Sequence, residues 1–288
     1  MFPTPFEYVK AQSWAEAVGY LHEYGEEARP LAGGQSLVPM MMMQMAEPAF
    51  LVDVSHAASR DITETEGAVV ISALARHREV AGSELVRARF PALAEAAQSI
   101  GNIRVRSRGT IGGSLAHSDA AAELPVAAVA LNAQVSVLGP DGERVVDAGD
   151  LFVGHFETSL APDEVITDIT FALPAARTGS AFAEFTRRPG DYAAVEAAAS
   201  VCLNGGSLDG ARLVLGAIAD RPIDVSEYLA GAAATADGIR TATRTVAGEV
   251  PIGHSEHGST VYLRELVQVV AEDALTAALH RATEEPHR

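Results

Sequence analysis

The segment spanning residues 104–123 constrains this chain more than any other stretch. Three arginines at alternate positions, Arg104, Arg106 and Arg108, run directly into Gly109-Thr110-Ile111-Gly112-Gly113-Ser114, in a 288-residue chain whose formal net charge is -17. Paired glycines let a backbone approach a ligand closely and turn successive N–H groups toward one point, which suits phosphate oxygens. An anion is one natural guest. A surface hairpin with solvated arginines is the other reading, and this segment alone does not choose between them.

A second glycine segment precedes it. Residues 29–32 read as a strand, followed at once by Gly33-Gly34-Gln35-Ser36 and a helix-prone, methionine-rich run over residues 37–45. A helix start offers unpaired N–H groups and a partial positive charge, so this turn also suits phosphate. The consecutive methionines Met40 to Met43 read as flexible core filling rather than a metal or ligand box. Neither segment fits the G-x-G-x-x-G dinucleotide pattern or a P-loop.

In chain order, residues 6–9 form a short strand and Ser13-Trp14-Ala15-Glu16 a capping box for a helix ending near Gly25, with Trp14, Ala17, Val18 and Leu21 on its apolar face. Residues 50–54 are a buried-type strand that closes a first α/β unit near Ser55. A hairpin centred on Gly67 covers residues 62–71, and a helix over 91–100 turns Leu93, Ala97 and Ile100 inward. Residues 124–131 follow as a helix behind Glu123, with Pro125 in its first turn. The turn Gly139-Pro140-Asp141-Gly142 joins strands at 134–138 and 144–147. Residues 164–171 alternate as a half-buried strand, and 174–179 form a linker. Strands at 181–187, 195–203 and 211–217 are then followed by helices from Val225 onward, the last over 260–281. Strands then helices describe a separate α+β domain.

Composition narrows the classes. The chain can bury a substantial core, and no apolar run approaches the roughly 20 residues needed to cross a bilayer. The N-terminal residues lack a basic region followed by an apolar one, and Cys202 is the lone cysteine, so a cytoplasmic location is the expectation. The acidic balance disfavours nonspecific nucleic-acid or anionic-membrane binding. Lys10 is the only lysine, which removes Schiff-base chemistry from consideration. His254 and His257 share a glycine-containing loop without a third ligand and read as surface histidines, so no metal site is expected.

The segments LAGGQSLVPMM, LVDVS, RSRGTIGGSLAHSDAAAELP and FTRRPGDYAAV, in this order along the whole chain, resemble the FAD-binding medium subunit of the molybdenum hydroxylases, the group of carbon monoxide dehydrogenase, xanthine dehydrogenase and aldehyde oxidoreductase. The resemblance implies an α+β fold: a two-part FAD-binding unit of the vanillyl-alcohol-oxidase (PCMH) type, with subdomains at residues 1–55 and 56–173, and a smaller α+β C-terminal domain at 180–288. It implies that Ala32, Gly33, Gly34, Gln35, Ser36 and Leu37 wrap the FAD diphosphate with backbone N–H groups, joined by Thr110, Ile111, Gly112, Gly113 and Ser114. Glu123 falls where the family places an acidic residue near the flavin end; a cap on the helix behind it is the competing reading. Ile166 falls where an aliphatic residue packs on the cofactor, and Tyr192 where a residue shields the flavin ring.

Two positions depart from the family. Ala183-Glu184 stands where many relatives carry a lysine, and the methionine run replaces a more usual basic residue. Loss of positive charge near the flavin alters its expected redox potential. By resemblance the chain is the electron-transfer subunit of a complex with an iron–sulfur small subunit and a molybdopterin large subunit. It takes electrons from [2Fe-2S] clusters to an external acceptor such as NAD, quinone or oxygen, with no catalytic acid or base of its own. The alternative is a standalone FAD-dependent oxidoreductase acting on a small molecule.

Overall fold

The computed structural model describes residues 3–203, 206–253 and 257–284. Strand β1 (Glu7–Lys10), helix α1 (Trp14–Tyr24), strand β2 (Ala28–Leu31), helix α2 (Leu37–Met42) and strand β3 (Phe50–Asp53) form the first unit, a parallel sheet in the order β1-β3-β2. The start of α1 is secured as the spacing predicts, with Ser13 Oγ accepting the Glu16 N–H at 3.1 Å. The return bond from Glu16 goes to the N–H of Gln12, one residue earlier than in a strict capping box. Ala17, Val18 and Leu21 are buried against Val52 and Val54, so burial of one helix face supplies the stability that so short a helix lacks alone.

The second unit opens with the hairpin β4 (Ile62–Thr65) and β5 (Ala68–Ser72), turned at Gly67 with φ +83°. Helices α3 (His77–Gly82), α4 (Glu84–Arg89), α5 (Pro91–Ser99), α6 (Ile103–Arg106), α7 (Ile111–His117) and α8 (Glu123–Ala130) follow. The hairpin β6 (Gln134–Gly139) and β7 (Gly142–Asp147) comes next, then α9 (Ala148–Leu151), β8 (Phe152–Gly154), β9 (Glu157–Thr158) and β10 (Val165–Ala172). These strands build an antiparallel sheet in the order β4-β5-β10-β6-β7, with β10 central and bulged between Ile166 and Asp168.

Five helices in this region, α3, α4, α6, α7 and α9, have no counterpart in the sequence reading, and the segment treated there as a glycine loop is two short helices. They are too short to show a 3.6-residue apolar period, and glycine is a poor helix former by about 1 kcal/mol. Side-chain caps and packing override that: Asn102 accepts the Arg104 N–H at 2.9 Å, and Thr110 Oγ1 accepts the Gly113 N–H at 3.1 Å.

The C-terminal part is an antiparallel sheet of β11 (Thr178–Phe185), β12 (Val195–Cys202), β13 (Arg212–Gly216) and β14 (Ile223–Asp224), followed by α10 (Ala236–Glu249) and α11 (Thr260–Thr283). Strand β12 is covered on both faces. Ala197, Ala199 and Val201 join the cluster of α10 and α11, whereas Ala198 on β12 and Val214 on β13 belong to the same hydrophobic cluster as α5 and α8. The C-terminal sheet is therefore built into the FAD-unit core along one face. Arg281 of α11 strengthens the junction by pairing with Glu95 of α5, whose carboxylate also accepts the Phe182 N–H at 3.0 Å.

Candidate functional site

The turn after β2 and the start of α7 meet, although they are far apart in the chain. A side chain at Gly33 would collide with the Arg108 carbonyl and stand 2.8 Å from Gly109 Cα, so the backbones touch where a side chain has no room. Gly34 has φ +70°, a conformation glycine adopts without strain. Among the described residues, the backbone N–H groups of Gly33, Gly34, Gln35 and Ser36 donate to no protein acceptor; the Gln35 amide instead holds the Gly33 carbonyl at 3.2 Å. Unpaired N–H groups in a concave surface favour an anion.

The second segment differs from the clamp of N–H groups that the resemblance implies. Ile111 N–H donates to the Ala75 carbonyl (3.0 Å), Gly112 N–H to Ala73 (2.9 Å) and Ser114 N–H to the Thr110 carbonyl (3.0 Å). Gly113 N–H is taken by Thr110 Oγ1. The first two donors are taken by the neighbouring 73–75 segment, and the last two by Thr110 at the start of α7. None of Arg104, Arg106 and Arg108 lines the cavity; Arg106 instead packs on backbone, donating to the Ile100 and Gly101 carbonyls at 2.9 and 3.1 Å.

That cavity, about 510 Å³, lies between the two segments. Ala32, Gly33, Gly34, Gln35, Ser36, Leu37, Thr110, Gly112, Gly113, Ser114, Glu123, Ile166 and Tyr192 all line it. Ile111 does not: it is fully buried in the core. Glu123 is the first residue of α8, where its carboxyl accepts from its own backbone N–H, and it faces the cavity.

His77, Asp119 and Glu164 line the cavity as well, and sequence reasoning did not single them out. Asp119 lies inside the LAHSDAAAE motif, which was its available signal. His77 had none. Its Nε2 lies 3.1 Å from the Thr110 carbonyl, an acceptor only, so the ring is the Nε2–H tautomer. Burial, reinforced by Arg76 and Arg106, pushes its pKa down to about 4, so it is neutral at pH 7; Nδ1 is buried without a partner. His77 thus pins the start of α7 from behind.

The inner end of the site is acidic. Burial pushes Glu123 up to about 8, with Glu184 and Asp119 adding repulsion. Glu196 on β12, completely buried with both carboxyl oxygens unpartnered, is held well above the ordinary carboxyl range by burial and then by Glu123, Glu184 and Asp119. The Tyr192 ring is 64% exposed; partial burial of its hydroxyl end, with Asp119 as hydrogen-bond partner, pushes the phenol up to about 12. Nearby, the Phe156 ring lies tilted between two imidazoles, its centroid 3.9 Å from His155 and 4.7 Å from His117. Of the two loop histidines, His254 lies outside the described residues. Among the described residues, no three His, Cys, Asp or Glu side chains are grouped to hold a metal.

Residues 4–175 match the model of the FAD binding domain in molybdopterin dehydrogenase, and residues 180–278 that of the CO dehydrogenase flavoprotein C-terminal domain. The chain belongs to the FAD-binding subunits of the molybdenum hydroxylases. It is a flavoprotein subunit of the oxidoreductase class, and its cofactor is FAD. Among relatives of this family, it is 37% identical over 98% of its length to the 6-hydroxypseudooxynicotine dehydrogenase complex subunit alpha of Paenarthrobacter nicotinovorans, of which it covers 97%. It is 33% identical to the carbon monoxide dehydrogenase medium chain of Hydrogenophaga pseudoflava, over 98% of this chain and 99% of that one. A solved structure of carbon monoxide dehydrogenase from the latter organism superposes with a TM-score of 0.93 at 34% identity, covering 98% of this chain and 99% of that chain. The fold is that of a molybdenum hydroxylase FAD subunit. Unpaired N–H groups at Gly33 to Ser36 and the close approach allowed at Gly33 suit the diphosphate of FAD.

Proposed function

We propose that this chain carries electrons out of a molybdenum hydroxylase complex, from [2Fe-2S] clusters of a small partner subunit to an external acceptor, while a large molybdopterin subunit oxidises the substrate. FAD supplies a centre that accepts and releases electrons singly or in pairs. The chain's own residues bind and orient it. Gly33, Gly34, Gln35 and Ser36 hold the diphosphate with backbone N–H groups. Thr110, Gly112, Gly113 and Ser114 form the opposite wall of the cleft, with the Ser114 hydroxyl as a donor. Ile166 packs against the cofactor, Tyr192 covers the ring at the mouth, and Glu123 and Asp119 stand at the ring end.

The observation that carries this reading is the row of four unpaired N–H groups facing the same cavity as Ser114, Glu123 and Tyr192. No cluster can be ligated from Cys202 alone, since a [2Fe-2S] centre takes four ligands; this supports a role confined to the flavin step. The free thiol of Cys202 and the lack of any helix long and apolar enough to cross a membrane among the described residues support placing the complex in the cytoplasm. Native purification of a tagged chain tests the proposal. Flavin together with iron, molybdenum and two further polypeptides is the expected outcome; flavin reduction by a small molecule on the lone chain would replace it with the standalone alternative.

A further inference from the structure

Four acidic side chains converge behind the inner end of the cavity from four places in the chain. Glu184 and Glu196 are register partners on β11 and β12. Their side chains share the sheet face that also carries Ala198 and Val214 and packs on α5 and α8. Strand β13 answers Glu196 with Gly216: a side chain there would stand 2.7 Å from Glu196 Oε2 and collide with Val126 of α8. The glycine therefore leaves the niche in which the Glu196 carboxyl lies. Glu123 at the start of α8 comes next, then Asp119 on the connection from α7 and the Tyr192 hydroxyl at the cavity mouth.

The charges facing Glu196 are those of Glu123, Glu184 and Asp119, and all are acidic. Those raising Glu123 are Glu184 and Asp119, and Glu184 has Ser99 as a hydrogen-bond partner. Two cationic side chains of the same domain are committed elsewhere: Arg212 of β13 to Asp224 at 2.7 Å, and Arg281 of α11 to Glu95. An isolated carboxylate in such a place is costly, and the group becomes neutral instead. Yet a stably neutral acid normally makes hydrogen bonds, and neither Glu196 oxygen has a partner. A plain structural carboxyl does not explain this.

We propose that Glu196 and Glu123 are a proton-exchanging pair serving the inner end of the cavity, with Asp119 and Tyr192 as the route to water. The pair is protonated at rest: when negative charge arrives in the cavity, Glu123 gives its proton toward that charge and is refilled from water by way of Asp119; when the charge leaves, that proton returns to water by the same path. No electrons move through these residues, and each cycle takes up and releases one proton. Glu184 is a positioning residue that keeps the pair protonated by repulsion. The proposal rests on the reading that the flavin ring lies at this end, but the proton-holding itself is measurable without cofactor.

Infrared spectroscopy of the full chain, first stripped of FAD and then reloaded, tests both parts. The FAD-free chain is expected to show the C=O band of a protonated carboxyl at pH 7 that weakens as pH rises past about 8, and Glu196→Gln removes part of it. The midpoint potential of the reloaded chain, followed against pH, is expected to change slope near the same pH. In Glu196→Gln and Glu123→Gln that break moves by at least one pH unit. Absence of the protonated band in the FAD-free chain overturns the pair outright. A band with unchanged potential profiles in both variants overturns its service to the cavity. If Glu196→Gln fails to fold, the wild-type band and the Glu123→Gln profile still decide. Failure to reload FAD at all counts instead against the proposed function.

Discussion

Glu184 and Glu196 stand opposite each other on adjacent antiparallel strands, two carboxyl side chains in register with no cation between them. Like charges directly across a ladder are destabilising. The pair persists because α8 and the remaining sheet bury a large apolar surface around it, and because protonation removes much of the repulsion. The resemblance implies a lysine at Ala183-Glu184, and on that reading the inner end of this site differs in sign from the family arrangement.

Stability of the FAD-free chain should therefore decline as pH rises from about 4.5 to about 8. A carboxyl held at about 8 in the folded state binds a proton that the unfolded chain, titrating near 4.5, has already lost. Between those values the folded state carries the extra proton, so stability falls as pH rises, by roughly 1 kcal/mol per pH unit for one proton, and levels off above pH 8. Glu123→Gln should flatten this slope and raise the melting temperature at pH 9. A melting curve series across pH 5–9 checks both.

His77 should act in the opposite direction at lower pH. Its pKa of about 4 lies below the ordinary 6.5, so the unfolded chain binds a proton that the folded chain refuses. Stability is complete above pH 6.5 and is lost progressively toward pH 4, by roughly 3 kcal/mol for the single group. His77→Gln should abolish that portion of acid sensitivity. Its loosened hold on the Thr110 carbonyl should also weaken FAD binding several-fold in a fluorescence titration.

The meeting of the two cavity walls makes Gly33 the sensitive position for cofactor binding. Gly33→Ala drives a methyl group into the Arg108 carbonyl, and the backbones must separate. Flavin occupancy after reconstitution should fall by about tenfold or more, corresponding to roughly 1.4 kcal/mol, while circular dichroism remains close to that of the parent. Gly112 is less informative, because a side chain there meets Ala73 at its backbone and disturbs α7 itself. Gly113 is exposed and meets a Cβ only through Thr110 Oγ1, so Gly113→Val reports on the wall with the fold intact.

The Glu95–Arg281 pair should show unequal partners. Both side chains are about one-third exposed, at 37% and 32%, so the ion pair alone is worth at most about 1 kcal/mol. Arg281→Ala should cost about that much. Glu95→Ala should cost more, since it also strands the Phe182 N–H at the junction of α5 and β11. A double-mutant cycle in urea melts separates the two contributions.

Much of this architecture was legible from local chemistry. Turn residues at Gly67 and at Gly139 to Gly142 announced both hairpins, Ser13 and Glu16 the start of α1, and strand-like runs the β11–β13 sheet. Thirteen of the fourteen residues chosen for the site line one cavity, as counted from its lining with Ile111 the exception. They were reached through the resemblance and not through spacing, since each glycine segment by itself fits a plain turn.

What remained illegible depends on contacts between distant segments. Short helices such as α6 and α7 carry no period to read, and the N–H groups of Ile111 and Gly112 go to the Ala75 and Ala73 carbonyls of a distant segment. The C-terminal domain nonetheless packs one face on the FAD unit, since Ala198 and Val214 join the same core as α5 and α8. Local sequence determined where the chain turns, which faces are apolar and that the Gly33 turn has donors to offer. Tertiary structure alone decided that Glu123, Glu184 and Glu196 share one low-dielectric place: a charge acquires its chemistry from what surrounds it, and those surroundings come from four separate stretches of the chain.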